Sequence, residues 1–181
     1  MTSAYLDYLW QPRPLCANTR LRRWLQDRKS LTRRIEARCS RFNLEVLKQA
    51  SCTIGRDERA LLGTRRTEKC LVREVSLNCG RNPVVFAHSV VASGALRGAW
   101  HWLNNLGTQP LGAVLFADPQ IKRFPLHFCQ LTVNHELYRR AAALIEEPPS
   151  RLWARRSIFE LRRSRLIVTE VFLPDILGLP P

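Results

Sequence analysis

The sequence predicts an α+β protein built on a central antiparallel sheet of about six strands. Two pairs of alternating apolar segments, Cys70–Leu77 with Val84–Val91 and Ser157–Leu161 with Leu166–Leu173, are each joined by a short turn, as in β-hairpins. Apolar residues at helical spacing mark separate segments elsewhere in the chain. The length of 181 residues and the hydrophobic share of 45% suit one domain, residues 1–181, with a substantial core.

Before the first β-hairpin, the pattern predicts two short helices and then a strand. Trp24 and its apolar neighbours lie at helical spacing, and Ser30 can cap a second helix over Thr32–Phe42. Alternating apolar residues at 42–46 favour a strand. The Gly- and charge-rich run 55–69 is predicted to be a loop.

Two further helices are predicted around the hairpins. One begins at Ser93 and carries an apolar stripe as far as Gly107, a residue type that commonly ends helices. The other covers Asn134–Ile145, with Asn134 as its cap, and stops before a Pro-Pro pair. The pattern contains no internal repeat and no low-complexity segment.

The net charge is the unusual number in the composition. Lys and Arg total 29 against 15 Asp and Glu, which leaves +14 and indicates an anionic partner such as nucleic acid, acidic lipid or an anionic metabolite. Nine basic residues between positions 20 and 41, with Trp24 and Phe42 available to stack on bases, make a nucleic-acid-binding protein one hypothesis. No nucleic-acid motif accompanies them, so we expect no nucleic-acid partner.

Targeting signals and metal motifs are not evident in the sequence. The first ten residues lack the basic and apolar regions of a secretory signal, and no apolar run is long enough to span a membrane. Six cysteines stand at wide spacing without a C-x-x-C pair, and the four histidines are equally scattered. We therefore expect a cytoplasmic protein with reduced thiols and no metal site. The cysteines are Cys16, Cys39, Cys52, Cys70, Cys79 and Cys129.

Two charged residues fall on apolar faces of predicted strands. Because side chains alternate along a strand, Arg73 lies between Leu71 and Val75 on one face, and Glu170 likewise has apolar neighbours. A guanidinium or a carboxylate in such a place loses much of its hydration energy unless a partner compensates it. Both side chains therefore need partners.

Two interpretations of this pair remain open. In the first, Arg73 and Glu170 form a structural ion pair with each other, or they reach into water at the rim of the sheet. In the second, a cavity beneath the sheet holds a small molecule with an acid at one end and a hydroxyl at the other. Arginine suits the acid because its planar fork binds a carboxylate through two parallel hydrogen bonds, and glutamate suits the hydroxyl.

Four short segments carry a further signal through their order and spacing. They are Ser30-Leu31-Thr32-Arg33-Arg34-Ile35-Glu36, Leu71-Val72-Arg73-Glu74-Val75, Leu106-Gly107-Thr108-Gln109-Pro110-Leu111-Gly112 with Leu115-Phe116, and Leu152-Trp153-Ala154-Arg155-Arg156-Ser157 through Thr169-Glu170-Val171-Phe172-Leu173-Pro174. In this arrangement the chain resembles the chorismate lyase (chorismate pyruvate-lyase) family. The resemblance covers roughly residues 30–36, 69–124 and 151–174.

The resemblance implies a buried site, closed by helices and flap loops, that works without a metal or an organic cofactor. The implied reaction removes the enolpyruvyl group of chorismate, giving 4-hydroxybenzoate and pyruvate for ubiquinone synthesis, with inhibition by the product. Arg73 would bind the ring carboxylate together with the backbone N–H groups of Leu31 and Leu111, and Glu170 would contact the para oxygen. We expect the protein to be a monomer.

Three positions need comment against this family pattern. Leu31 stands where the family has Met, which the site tolerates if the backbone is what binds. His88 stands where the family has Arg, and it shares a strand face with Phe86 and Val90, so we interpret it as a core or rim histidine rather than a catalytic base. Arg155 shares a face with Ser157 and is a candidate to assist a second carboxylate.

A protein of a different class remains as an alternative. Sheets of this kind also serve as non-catalytic modules that sense small aromatic acids, because fold alone does not fix activity. Such a module would bind 4-hydroxybenzoate but release no pyruvate from chorismate.

Overall fold

One antiparallel sheet of seven strands runs through the computed structural model, which describes residues 10–16 and 18–180. In chain order the strands are β1 (Phe42–Cys52), β2 (Cys70–Cys79), β3 (Asn82–Ala92), β4 (Lys122–Arg123), β5 (His127–Thr132), β6 (Arg151–Leu161) and β7 (Ser164–Phe172). Across the sheet their order is β1-β2-β3-β7-β6-β4, and β5 also pairs with β6. The predicted fold class is confirmed, with seven strands where about six were expected.

Short helices connect these strands. The α-helices of the described residues are α1 (Thr19–Gln26), α2 (Leu31–Glu36), α3 (Arg56–Leu62), α4 (Leu111–Leu115) and α5 (Glu136–Ala142). Three 3₁₀ segments lie at Ser93–Arg97, His101–Asn105 and Pro174–Gly178. None of the helices in this part of the chain is long and apolar enough to cross a membrane.

Two of the predicted helices differ at their ends. The second one stops at Glu36 rather than at Phe42, because Phe42 begins β1 opposite Cys79. The last helix is capped by His135 rather than by Asn134, since the His135 ring accepts a hydrogen bond from the Leu137 N–H at 3.1 Å.

Two other segments differ in type. The predicted loop 55–69 contains α3, which has Asp57 and Glu58 in its first turn and Gly63 in the left-handed conformation at its end. The predicted helix from Ser93 is instead two separate 3₁₀ segments. Gly98, with φ −133° and ψ −112°, takes the backbone out of helical geometry between them.

The expectation that all six cysteines are reduced is wrong. Cys39 and Cys79 form a disulfide, with their Cα atoms 5.6 Å apart. They lie 40 residues apart in sequence, so their spacing gives no sign of the pairing. The pairing of β1 with β2 brings them together, because Cys79 faces Phe42 at the start of β1. The other four cysteines are free.

The register of the sheet creates two rows of side chains on one face. In the first row, Arg73 pairs with Ser89, Ser89 with Val168, and Val168 with Ser157. In the second row, Ala87 pairs with Glu170 and Glu170 with Arg155. Arg73 and Glu170 therefore lie on the same face, but in adjacent rows and on strands that are separated by β3.

The opposite face carries a separate charged network around His88, which is 3% exposed. Its Nδ1 lies 2.9 Å from Glu74 Oε1 and its Nε2 lies 3.0 Å from Glu58 Oε1, and Arg140 also pairs with Glu74. Burial alone would lower the pKa of His88, but the two carboxylates hold it above its ordinary value. His88 is therefore a buried, paired histidine of the fold, as the sequence led us to expect.

We expect His88→Gln to lower the free energy of unfolding by about 3 kcal/mol near pH 6, because the buried Glu58 loses its paired cation and Glu74 keeps only Arg140 among the described residues. The pKa of His88 is raised on folding from its ordinary value of 6.5, so the stabilisation is fully present below pH 6.5 and is lost as the pH rises through the folded-state pKa. Urea unfolding of the wild type and the variant at a series of pH values measures this difference in the free energy of unfolding. A difference that grows as the pH increases would contradict the pairing of His88 with the two carboxylates.

Candidate active site

A cavity lies beneath the first face of the sheet, closed on the other side by α2, α4 and the end of β4. Its walls are mostly apolar, with Leu31, Val75 and Phe159 among them. Its polar residues are Thr32, Arg73, Ser89, Arg123, Arg155, Ser157 and Glu170. Three guanidinium groups against one carboxylate leave an excess of two positive charges, so the cavity suits an anionic, largely apolar ligand.

Arg73 projects from the middle of β2 and is 3% exposed. Its Nη2 donates to the carbonyl oxygens of Gly107 at 2.9 Å and Gln109 at 3.4 Å, and its Nε has no hydrogen-bond partner among the described residues. No carboxylate of residues 10–16 and 18–180 forms an ion pair with it, and burial lowers its pKa. The interpretation as an Arg73–Glu170 ion pair is therefore wrong.

Glu170 has a different partner, Arg155, which lies beside it on β6. Arg155 Nε donates to Glu170 Oε2 at 2.5 Å, and its Nη1 donates to the carbonyl oxygen of Asp27 at 2.6 Å and to those of Trp24 and Leu25. Arg155 is 1% exposed, whereas the Glu170 side chain is 15% exposed and borders the cavity. This pair fixes one oxygen of Glu170, and no described residue donates a hydrogen bond to the other.

Leu31 and Leu111 are the first residues of α2 and α4, and both border the cavity. Amide N–H groups in the first turn of a helix have no partner within the helix, so they are available to an anion. The two helix starts approach closely: a Cβ on Gly112 would lie 3.1 Å from the Ser30 Oγ. The glycine in the Pro-Leu-Gly turn thus lets both backbone segments meet at one end of the cavity.

Arg123 is a cavity residue that the sequence analysis did not identify. It ends the two-residue strand β4, which is too short to show any periodicity. Its Nη2 and Nε donate to Ser157 Oγ at 2.8 Å and 3.3 Å, and its Nη1 donates to the carbonyl oxygen of Arg28. The one available signal is its place within the segment 69–124 that resembles the family.

The structure thus brings together five of the six predicted site residues: Arg73, Glu170, Leu31, Leu111 and Arg155. The sixth, His88, lies on the opposite face of the sheet. Buried guanidiniums at two places on the cavity wall can hold an anionic ring, and one fixed carboxylate beside them can accept a hydrogen bond or a proton.

An antiparallel sheet that covers a cationic, apolar-walled cavity defines a small-molecule-binding α+β domain suited to a cyclic acid. The family model for chorismate lyase matches residues 7–178, and the chain belongs to that family. It is 51% identical over 171 residues to a "Probable chorismate pyruvate-lyase" of Nitrosospira multiformis, which covers 94% of this chain and 95% of that protein. A protein of the same description from Nitrosomonas europaea is 48% identical over 167 residues, with 92% and 94% covered.

Solved structures with a similar fold are distant in sequence. The C-terminal domain of PhnF has a TM-score of 0.58 at 13% identity, covering 74% of this chain and 84% of that one. The C-terminal domain of the histidine utilization repressor from Pseudomonas syringae has a TM-score of 0.54 at 12% identity, covering 75% and 93%. At these identities the likeness concerns the fold alone.

Replacement of Arg73 and of Arg155 by Met should have different effects on the free energy of unfolding. Arg73→Met removes a buried charge that has no carboxylate partner, so we expect the free energy of unfolding to stay unchanged or to rise by about 1 kcal/mol. Arg155→Met leaves Glu170 beside an apolar side chain and frees the end of α1, so we expect a loss of about 3 to 5 kcal/mol. Thermal and urea unfolding of both variants measure this, and equal losses would contradict the assignment of their partners.

Proposed function

We propose that this protein is a chorismate pyruvate-lyase, which converts chorismate into 4-hydroxybenzoate and pyruvate as the first step of ubiquinone synthesis. The observation that carries the proposal is the buried Arg73 guanidinium, which has no carboxylate partner in the part of the chain described and borders a cavity in a member of the chorismate lyase family. A ring carboxylate would supply the missing negative charge.

In this proposal one end of the cavity binds the ring acid. Arg73 donates hydrogen bonds to the carboxylate, and the backbone N–H groups of Leu31 and Leu111 donate from the two helix starts. The low polarity of the surrounding walls strengthens each of these contacts. Because the product retains this carboxylate, we also expect 4-hydroxybenzoate to bind well and to inhibit the reaction.

Glu170 acts at the opposite end of the ring, at the para oxygen. In the reaction the ether C–O bond of the enolpyruvyl group breaks, a ring hydrogen leaves as a proton, and the released enolpyruvate takes up a proton to become pyruvate. The ring becomes aromatic, so the step is strongly downhill and the enzyme contributes mainly positioning and electrostatics. Arg155 is a positioning residue, because it fixes one Glu170 oxygen and leaves the other for the substrate.

The deciding experiment is to measure pyruvate released from chorismate with a coupled dehydrogenase. We expect steady release by the purified protein and loss of most substrate affinity in Arg73→Ala. Binding of 4-hydroxybenzoate without any pyruvate release would contradict the proposal and favour the non-catalytic sensor.

Glu170→Gln separates binding from turnover. The amide keeps the shape of the side chain and can still contact the para oxygen, but it can neither accept a proton nor carry a charge. We expect kcat to fall about 100-fold, the lower end of the usual contribution of general acid–base groups, with a smaller change in the dissociation constant of 4-hydroxybenzoate. A variant that retains the wild-type kcat would exclude the proton-transfer role.

A further inference from the structure

Arg123 is a charged cavity residue that has no part in the roles proposed above. It reaches the cavity from the edge strand β4, and the Ser157 Oγ and the carbonyl oxygen of Arg28 hold its guanidinium in place. Both partners are neutral. No carboxylate among the described residues forms an ion pair with Arg123, although Glu170 lies on the same cavity wall.

The surroundings of Arg123 favour an anion. Its guanidinium carbon lies 5.1 Å from the centre of the Phe116 ring and 5.5 Å from that of Phe159, so apolar surface rather than water covers much of it. Burial, with a further contribution from the nearby positive charge of Arg155, lowers its pKa to about 10. Two cavity guanidiniums, those of Arg73 and Arg123, therefore form no ion pair with a carboxylate in the part of the chain that the structure describes.

The sheet register separates Arg73 from the residue that holds Arg123. Arg73 and Ser157, the residue that holds Arg123, stand in one row across β2, β3, β7 and β6, which is three strand spacings. Their Cα atoms are thus roughly 14 Å apart. Arg73 extends into the cavity from the first of these positions, and the Arg123 guanidinium, which comes from β4, is held at the second by the Ser157 Oγ. The two cations therefore occupy separate places on the cavity wall, one for each carboxylate of a dianion.

From this geometry we propose that Arg123 binds a second carboxylate, the one on the enolpyruvyl group of the substrate. The inference rests on the proposed function and extends it by assigning two anion-binding positions to the cavity. When the ether bond breaks, the pyruvate leaves with its carboxylate, and the remaining 4-hydroxybenzoate has no group for Arg123. Arg123 therefore distinguishes the dianionic substrate from the monoanionic product.

The outer surface beside Arg123 agrees with this assignment. Phe116 is 40% exposed and borders both the cavity and a neighbouring surface groove. That groove carries a strong excess of positive charge, from Arg23, Arg28, Lys29, Arg33, Arg34 and Arg38 against Asp27. The second anion position thus lies at the side of the cavity where the surface potential attracts an entering dianion and a departing pyruvate.

Arg123→Met tests the proposal, because Met fills much of the same space without a charge. For the variant and the wild type we would measure KM for chorismate and the dissociation constants of two unreactive probes. The probes are 4-hydroxybenzoate and 3-(carboxymethoxy)-4-hydroxybenzoate. The second probe carries an ether-linked carboxylate that cannot be eliminated. We expect Arg123→Met to raise KM for chorismate and the dissociation constant of the diacid at least 10-fold. The dissociation constant of 4-hydroxybenzoate should change less than 2-fold. Arg123→Lys should restore part of the loss.

Arg165→Met is the matched control. Arg165 is an arginine of the same sheet that pairs with Glu160 and does not border the cavity, so all three constants should stay at wild-type values. The proposal would be overturned if Arg123→Met raised the dissociation constants of both probes equally, or if it left that of the diacid unchanged. A wild type that binds the diacid through Arg123 but releases no pyruvate would leave the second anion position standing and refute the lyase activity instead.

Discussion

A positive charge buried beneath the sheet without a carboxylate partner is the constraint on which the rest of the site depends. Within residues 10–16 and 18–180, the hydrogen-bond acceptors of Arg73 are the carbonyl oxygens of Gly107 and Gln109, so the fold tolerates a group that costs stability. The surrounding core offsets that cost with fully buried side chains such as Trp24 and Leu25. In the proposed function, a carboxylate that enters the cavity supplies the missing negative charge, which links the stability of the fold to ligand binding.

The arginines of this face differ in their partners. Arg155 contacts Glu170 and three carbonyl oxygens near the end of α1, so it ties the helix to the sheet and fixes the carboxylate. Among the described residues, Arg73 and Arg123 donate hydrogen bonds to neutral oxygens and form no ion pair. The net charge of +14 therefore combines structural and surface charges with two buried guanidiniums that the proposed function assigns to the ligand, and these two are more informative than the total.

Strand alternation predicted the two β-hairpins and showed that Arg73 and Glu170 each lie among apolar side chains of their own strands, because side-chain direction alternates along a strand. Contacts between strands could not be predicted from alternation within each strand. The Cys39–Cys79 disulfide and the Arg155–Glu170 pair depend on which strands are neighbours. Arg123 belongs to a strand of two residues, which has no pattern to find. Gly98 likewise divides the Ser93 segment through a backbone conformation that spacing does not reveal.

The central claim is that Arg73 holds a carboxylate in its ionised form inside the cavity. Carbon-13 NMR of carboxyl-labelled 4-hydroxybenzoate, bound to the protein and titrated toward acid pH, tests it directly. We predict that the bound carboxyl signal stays at the ionised position well below the pH at which the free acid protonates, and that Arg73→Met abolishes this bound signal. A bound acid that protonates at the same pH as the free acid would contradict the account.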